Sequence, residues 1–215
     1  MIVEIWSDVV CPWCYIGKRR FERALATFSE QHPDAEVTVR YRAFMLDPTA
    51  PAGVSEPVRE AYERKFGGPE QAEAILDRVT GEAAGEGLEF RMDIAKRSNT
   101  FAAHRLLVLA EELGCQGQLK ERLLAAYFTE GSAIGDPETL IALASEVGID
   151  PDRSRAWLED GSGRDEVGDH LEFAAANGLT SVPTFVFDRR FAVPGAQEPR
   201  IFLDALENGL ATAST

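Results

Sequence analysis

The chain of 215 residues contains only three cysteines and three histidines. Three cysteines are too few for a disulfide framework. No further Cys or His pair stands at the spacing that a structural zinc site needs beside Cys11 and Cys14, so no metal is expected. Positive charge is scarce as well. Twenty-two Lys and Arg against 36 Asp and Glu leave a net charge of −14, which argues against nucleic acid or an anionic membrane surface as a partner. No apolar run approaches the roughly eighteen residues of a membrane span. The opening Ile2–Trp6 run lacks a basic flank and a small-residue cleavage site, so the cytoplasm is the expected compartment. A glycine-rich phosphate loop, a GxSxG elbow and an HExxH helix are all missing.

Those absences leave the cysteines to carry the chemistry. Two of them form Cys11-Pro12-Trp13-Cys14, while Cys115 stands alone after Gly114 and reads as incidental. A CxxC pair is a zinc half-site, a redox dithiol or an accident, and the lack of partner ligands favours the dithiol. Cys11 falls where an apolar strand hands over to a helix, with Pro12 in the first turn. Unsatisfied N–H groups there favour a thiolate, which predicts a lowered Cys11 pKa. Cys14, one turn on, is placed to resolve a mixed disulfide. Trp13 is a candidate for stacking on substrate. Because Pro12-Trp13 offers no ionisable partner, the expected potential lies at roughly −270 to −120 mV, in the more reducing half.

Periodicity places these residues in a split architecture. Ile2–Trp6 reads as a strand apolar on both faces, and the stretch from Ile16 to Phe28 as a helix. Val37–Phe44 alternates as a second strand. Asp47–Gly53 is a loop rich in Pro, and from Val54 to Asn177 nearly everything has helical texture. Ser98 or Asn99 is the expected cap of the Ala102–Leu113 helix, and Gly114 its end. Strand texture returns at Thr184–Phe187 and Arg190–Val193 across an Asp188-Arg189 turn, before a last helix from Ile201. The order is βαβ, a helical block, then ββα. A sheet domain of residues 1–48 and 179–215, interrupted by a helical domain of 49–178, is the simplest arrangement.

Several runs are distinctive together: Ser7–Gly17 around the cysteines, Phe44–Pro48, Asn99–Leu106, Tyr127–Gly131, Val182–Phe185 and Val193–Gln197. On these the chain resembles the DsbA-like thioredoxin superfamily, in particular the cytoplasmic FrnE-type oxidoreductases, over nearly its whole length. The resemblance implies an α/β, thioredoxin-like fold with a large all-helical insertion. It also implies a cis bond between Val182 and Pro183 facing the dithiol, and thiol–disulfide exchange on protein or small-molecule substrates. No cofactor is implied beyond the Cys11–Cys14 disulfide, with glutathione as a possible co-substrate. A second C-terminal cysteine pair is absent. Two polar residues keep two readings each. His104 is a helical core residue or a polar group facing the dithiol, and Asp8 is a turn residue or a carboxylate near Cys14. Gln197 reads as a first-turn residue. The alternative function is a glutathione-dependent isomerase or transferase resembling 2-hydroxychromene-2-carboxylate isomerase or the kappa glutathione transferases. Those proteins typically carry serine where Cys11 stands. A non-catalytic binding module that kept the dithiol is a third possibility.

Overall fold

A computed structural model describes residues 1–213. The β-branched and aromatic residues of β1 (Ile2–Ser7) make it the inner strand of a four-stranded sheet. Before β2, the chain passes through helix α1 (Pro12–Gln31). Strand β2 (Thr38–Ala43) runs parallel to β1, in register from Ile2↔Thr38 to Ser7↔Ala43.

The block that follows holds a two-residue ladder, β3 (Glu56–Pro57) with β4 (Lys96–Arg97), and seven helices among the described residues. These are α2 (Val58–Phe66), α3 (Pro69–Gly85), α4 (Phe101–Glu112), α5 (Gln116–Phe128), α6 (Pro137–Glu146), α7 (Pro151–Glu159) and α8 (Arg164–Ala176). Strands β5 (Thr184–Phe187) and β6 (Phe191–Pro194) then complete the sheet in the order β2-β1-β5-β6, with β5 antiparallel to β1. The Asp188-Arg189 turn between them takes positive φ at both residues, 46° and 56°, as the tight turns that match strand twist do. Helix α9 (Pro199–Ala213) closes the fold.

Helix α1 joins two cores, and that fixes the position of its N-terminus. Phe21 and Phe28 pack with Phe185, Phe187 and Phe202 between the sheet and α9. One or two turns earlier, Tyr15 and Ile16 belong instead to the core of the helical block, with Leu106, Leu123 and Phe128. The first turn of α1 is therefore held at the seam between sheet and helices.

Four details depart from the sequence reading. The step-of-four run beginning at Val54 does not start a helix there; Pro57 caps α2, and Val54 is exposed. Thr100, not Ser98 or Asn99, is the cap position of α4, although the Asn99 side-chain oxygen accepts from Phe101 N at 2.9 Å. Helix α7 has little apolar period, but its Asp150 cap accepting from Arg153 N and its Pro151 are ordinary start signals. Strand β1 is not apolar on both faces: Glu4 is 3 % exposed and bound by Arg42 Nε at 2.8 Å and Arg189 Nε at 2.9 Å.

Candidate functional site

Cys11 occupies the cap position of α1 in extended backbone, with Pro12 as the first helical residue. Its carbonyl accepts from Cys14 N at 3.0 Å, which places the two side chains one turn apart at the helix start. Both cysteines are unlinked and buried. The Val182–Pro183 bond is cis. Cys11 Sγ donates to the Val182 carbonyl at 3.6 Å, so the segment before β5 lies directly on the reactive sulfur. Gly17 allows this approach: a Cβ there would meet Pro183 Cγ at 2.9 Å. Pro183 O also accepts from Gly195 N at 2.7 Å, which ties the segment to the end of β6. Trp13 is partly buried, with the Arg78 guanidinium 5.8 Å from its ring centroid.

Asp8 and His104 resolve in favour of a shared buried site behind the cysteines. Asp8 is fully buried, and its carboxylate accepts from Val9 N and Leu46 N, both at 2.8 Å. His104 Nε2, on α4, lies 3.2 Å from the same carboxylate. Burial is the largest influence on Asp8 and would raise its pKa. The His104 hydrogen bond and charge, the Leu46 N–H and the charge of Lys120 together overcome it and hold Asp8 below the usual carboxylate range. Asp8 is thus a fixed negative charge near the dithiol.

That charge contributes to a correction. The expected lowering of Cys11 is not found, and its pKa lies well above the ordinary thiol value. The hydrogen bond with the Cys14 side chain is the largest cause, followed by burial and negative charge at Cys14 and Asp8. The Cys14 backbone N–H does favour a Cys11 thiolate, as the helix-start argument requires, but it is outweighed. Cys11 therefore holds on to its proton more firmly than a free thiol does.

Three residues escaped the sequence reading. Tyr62 of α2 and Tyr127 of α5 line a cavity of about 590 Å³ together with Asp8, Val10, Leu46 and Arg97. Burial pushes Tyr62 up to about 12, with the Cys11 charge adding to the effect; the cavity reaches Val10, the residue before Cys11. Lys120 of α5 is 1 % exposed, and among the described residues its Nζ has no hydrogen-bond partner. Its signal was available, since Lys120 interrupts the buried stripe Leu119, Leu123, Leu124 and Tyr127 on one helix face. Cys115 caps α5, partly buried and unlinked, and Gln197 Nε2 donates to Pro194 O at 2.8 Å.

The description of the DSBA-like thioredoxin domain matches residues 2–207. The chain belongs to that family. As a DSBA-like protein it is an enzyme of the thiol–disulfide oxidoreductase class. A probable DsbA oxidoreductase from Streptomyces coelicolor is 40% identical and superposes with a TM-score of 0.90 over 98% of this chain and 90% of that one. Two more distant structures share the DSBA-like fold. The cytosolic disulfide reductase DsbM from Pseudomonas aeruginosa, solved with GSH, is 19% identical with a TM-score of 0.67, covering 98% of this chain and 100% of its own. A 2-hydroxychromene-2-carboxylate isomerase is 20% identical with a TM-score of 0.66, covering 100% of this chain and 98% of its own. No described helix is long and apolar enough to cross a membrane.

Proposed function

We propose that the chain exchanges thiols and disulfides through Cys11 as nucleophile and Cys14 as resolving thiol. The observation that carries this reading is the contact of Cys11 Sγ with the Val182 carbonyl at the start of α1. A thiolate on Cys11 attacks a substrate disulfide, and the distal substrate sulfur leaves with the bonding electrons and takes a proton from water. Cys14 then attacks Cys11 Sγ as a thiolate, its proton having passed to water. The mixed disulfide breaks, the second substrate sulfur is released and protonated, and the Cys11–Cys14 disulfide remains. Run backwards, the same steps donate a disulfide. Val182 and Pro183 border the reacting sulfur, where an extended substrate segment would pair with the Val182 backbone. Trp13 and the cavity beside Tyr62 supply apolar surface for it.

The reading extends to the cytoplasm as working compartment and to glutathione as a co-substrate. Both are supported by the fold shared with a protein named as a cytosolic disulfide reductase and solved with GSH. The division into residues 1–48 with 179–215 and 49–178, and the FrnE-type subfamily, belong to the same proposal. A glutathione-dependent isomerase is the second reading, supported by the fold shared with the chromene-carboxylate isomerase. Thiol labelling separates the two. A redox dithiol oxidised by disulfide substrate takes up monobromobimane at Cys11 and Cys14 only after dithiothreitol, whereas Cys115 is free in either case. Labelling that is indifferent to dithiothreitol overturns the oxidoreductase mechanism. Cys14→Ser is expected to accumulate mixed disulfides on Cys11 and so to reveal the substrates.

A further inference from the structure

Cys11 Sγ meets the Val182 carbonyl at 3.6 Å, and that spacing has to be held from outside the segment itself. The ladder between β1 and β5 begins at the Trp6↔Thr184 pair, one residue after Pro183. Two contacts fix the segment before it. Pro183 packs on Gly17 of α1, where a Cβ would meet its Cγ at 2.9 Å, and Pro183 O accepts from Gly195 N at 2.7 Å. The next residue, Ala196, rests on Gly17 too, with its Cα 3.3 Å from the same Cβ position. Val182 therefore depends on the short stretch after β6, and whatever holds residue 196 holds Val182.

Arg20 reaches residue 196. From one turn beyond Gly17 on α1, its Nη1 donates to the Ala196 carbonyl at 2.8 Å. The helical block occupies the rest of the guanidinium. Nε donates to Glu86, the C-terminal cap of α3, at 2.6 Å, and Nη2 to Glu82 at 3.0 Å. Glu198, just before α9, lies 3.4 Å from Nη1. The Arg20 side chain is only 11 % exposed. A planar fork with separate donors can serve acceptors on several segments at once, which a single ammonium cannot. Arg78, Glu82 and Glu86 recur at steps of four along α3 and its cap, and all three meet α1: Arg78 over Trp13, the two glutamates at Arg20. That stripe seats the inserted helices against the dithiol turn and against the residue that holds the loop.

Resting on the dithiol reading above, we propose that Arg20 is a positioning residue for exchange: it anchors the Ala196 carbonyl and, through the Gly195–Pro183 hydrogen bond, holds Val182 at the reacting sulfur. Arg20 acts through the loop and not on the sulfurs. The bond from a charged donor to a backbone carbonyl is of the stronger kind, and the carboxylates of α3 keep the guanidinium from turning to solvent. The inserted block thereby sets the geometry of a clamp that belongs to the sheet. An extended substrate that pairs with the Val182 backbone depends on that geometry. A small alkylating reagent needs only the thiolate and does not.

Arg20→Met keeps much of the stem and removes the fork. With a peptide disulfide as substrate, kcat/KM is expected to fall by about tenfold or more, chiefly through a higher KM. Alkylation of Cys11 by iodoacetamide in the reduced protein, read by peptide mass, is expected to stay within about twofold of the parent rate. Hydrogen exchange of the Gly195 amide should quicken by about tenfold as its bond to Pro183 loosens. Arg23→Met removes the ion pair of Arg23 with Glu86 and leaves the Ala196 contact in place, so all three readings should stay put. An unchanged kcat/KM or Gly195 amide in folded Arg20→Met overturns the assignment. So does an equal loss in Arg23→Met, or alkylation that falls in parallel with turnover. If Arg20→Met does not fold, Arg20→Lys keeps a cation for Glu82 and Glu86 without spanning to the Ala196 carbonyl. The same split between turnover and alkylation is then expected, and turnover at the parent level overturns the proposal. A parent that exchanges disulfides while the Arg20 variants keep pace defeats only this assignment. One that never exchanges defeats the oxidoreductase mechanism itself.

Discussion

Two buried charges in this molecule are treated in opposite ways. Glu4, within the sheet on β1, is enclosed by two guanidiniums, Arg42 from β2 and Arg189 from the β5–β6 turn. Burial is the largest influence on Glu4 and raises its pKa, but the hydrogen bonds and charges of the two arginines leave it lowered. Lys120 of α5 is as deeply buried, and among the described residues its Nζ has no hydrogen-bond partner. A buried ion with its partners in place holds elements in register. A buried ion left without one destabilises the fold and persists where chemistry makes use of its field. Glu4 is thus a buried charge with its partners in place, and Lys120 one without. Substitutions at the two ends should separate stability from chemistry.

The sharpest break of that comparison is at the dithiol. Cys11→Ser should remove disulfide exchange by more than about a thousand-fold while leaving the melting temperature nearly unchanged, since Ser is a close isostere at a helix cap that favours it. Insulin reduction or glutathione-coupled turnover measures the first, and thermal unfolding the second. The reverse pattern is expected of Glu4→Ala. Removing Glu4 leaves the buried Arg42 with Glu111 alone, at a cost of about 3 kcal/mol, while Arg189 turns to solvent. Urea melts should show that loss, whereas the pH midpoint of the dithiol in the folded protein should not move.

A third test uses pH alone. His170 titrates near 4 in the folded chain and near 6.5 unfolded, because burial penalises its charged form. Between those values the unfolded chain binds the extra proton. The stabilisation from a neutral His170 is therefore complete above about 6.5 and is lost as pH falls toward 4, by roughly 2–3 kcal/mol. Denaturant melts from pH 7 to 4.5 should show a steeper decline in the unaltered protein than in His170→Gln.

The contrast also explains how much could be read in advance. Cys11, Pro12 and Cys14 were legible because their chemistry is local: a strand end, a helix start and a spacing of one turn. The order βαβ, helices, ββα was legible for the same reason, through periods of two and 3.6. Pairing is not local. Nothing near Glu4 announces that Arg42 and Arg189 will meet it from 38 and 185 residues away. Asp8 and His104, 96 residues apart, each kept two readings until α4 packed behind the dithiol. The lowered Cys11 pKa failed on a different ground: the neighbouring Cys14 thiol, then burial and the Asp8 charge, outweigh the helix start.

The smallest effect should come from Lys120, and its sign is the informative part. Burial disfavours the charge of Lys120 in the folded state only. The unfolded chain keeps the proton up to about 10.5 while the folded chain gives it up near 8. Between these values the unfolded state holds more protons, and stability rises with pH. At pH 7 the folded protein still carries the strained ammonium. Lys120→Met removes that burden without opening a cavity, so the reduced variant should be more stable than the parent by about 1–2 kcal/mol. The gain should shrink as pH climbs from 8 to 10.5, where the parent sheds its own charge. Urea melts of the reduced pair at pH 7 and pH 10 measure both quantities. A variant less stable than its parent at pH 7 would place Lys120 with Glu4, as a scaffold charge whose partner lies within the fold.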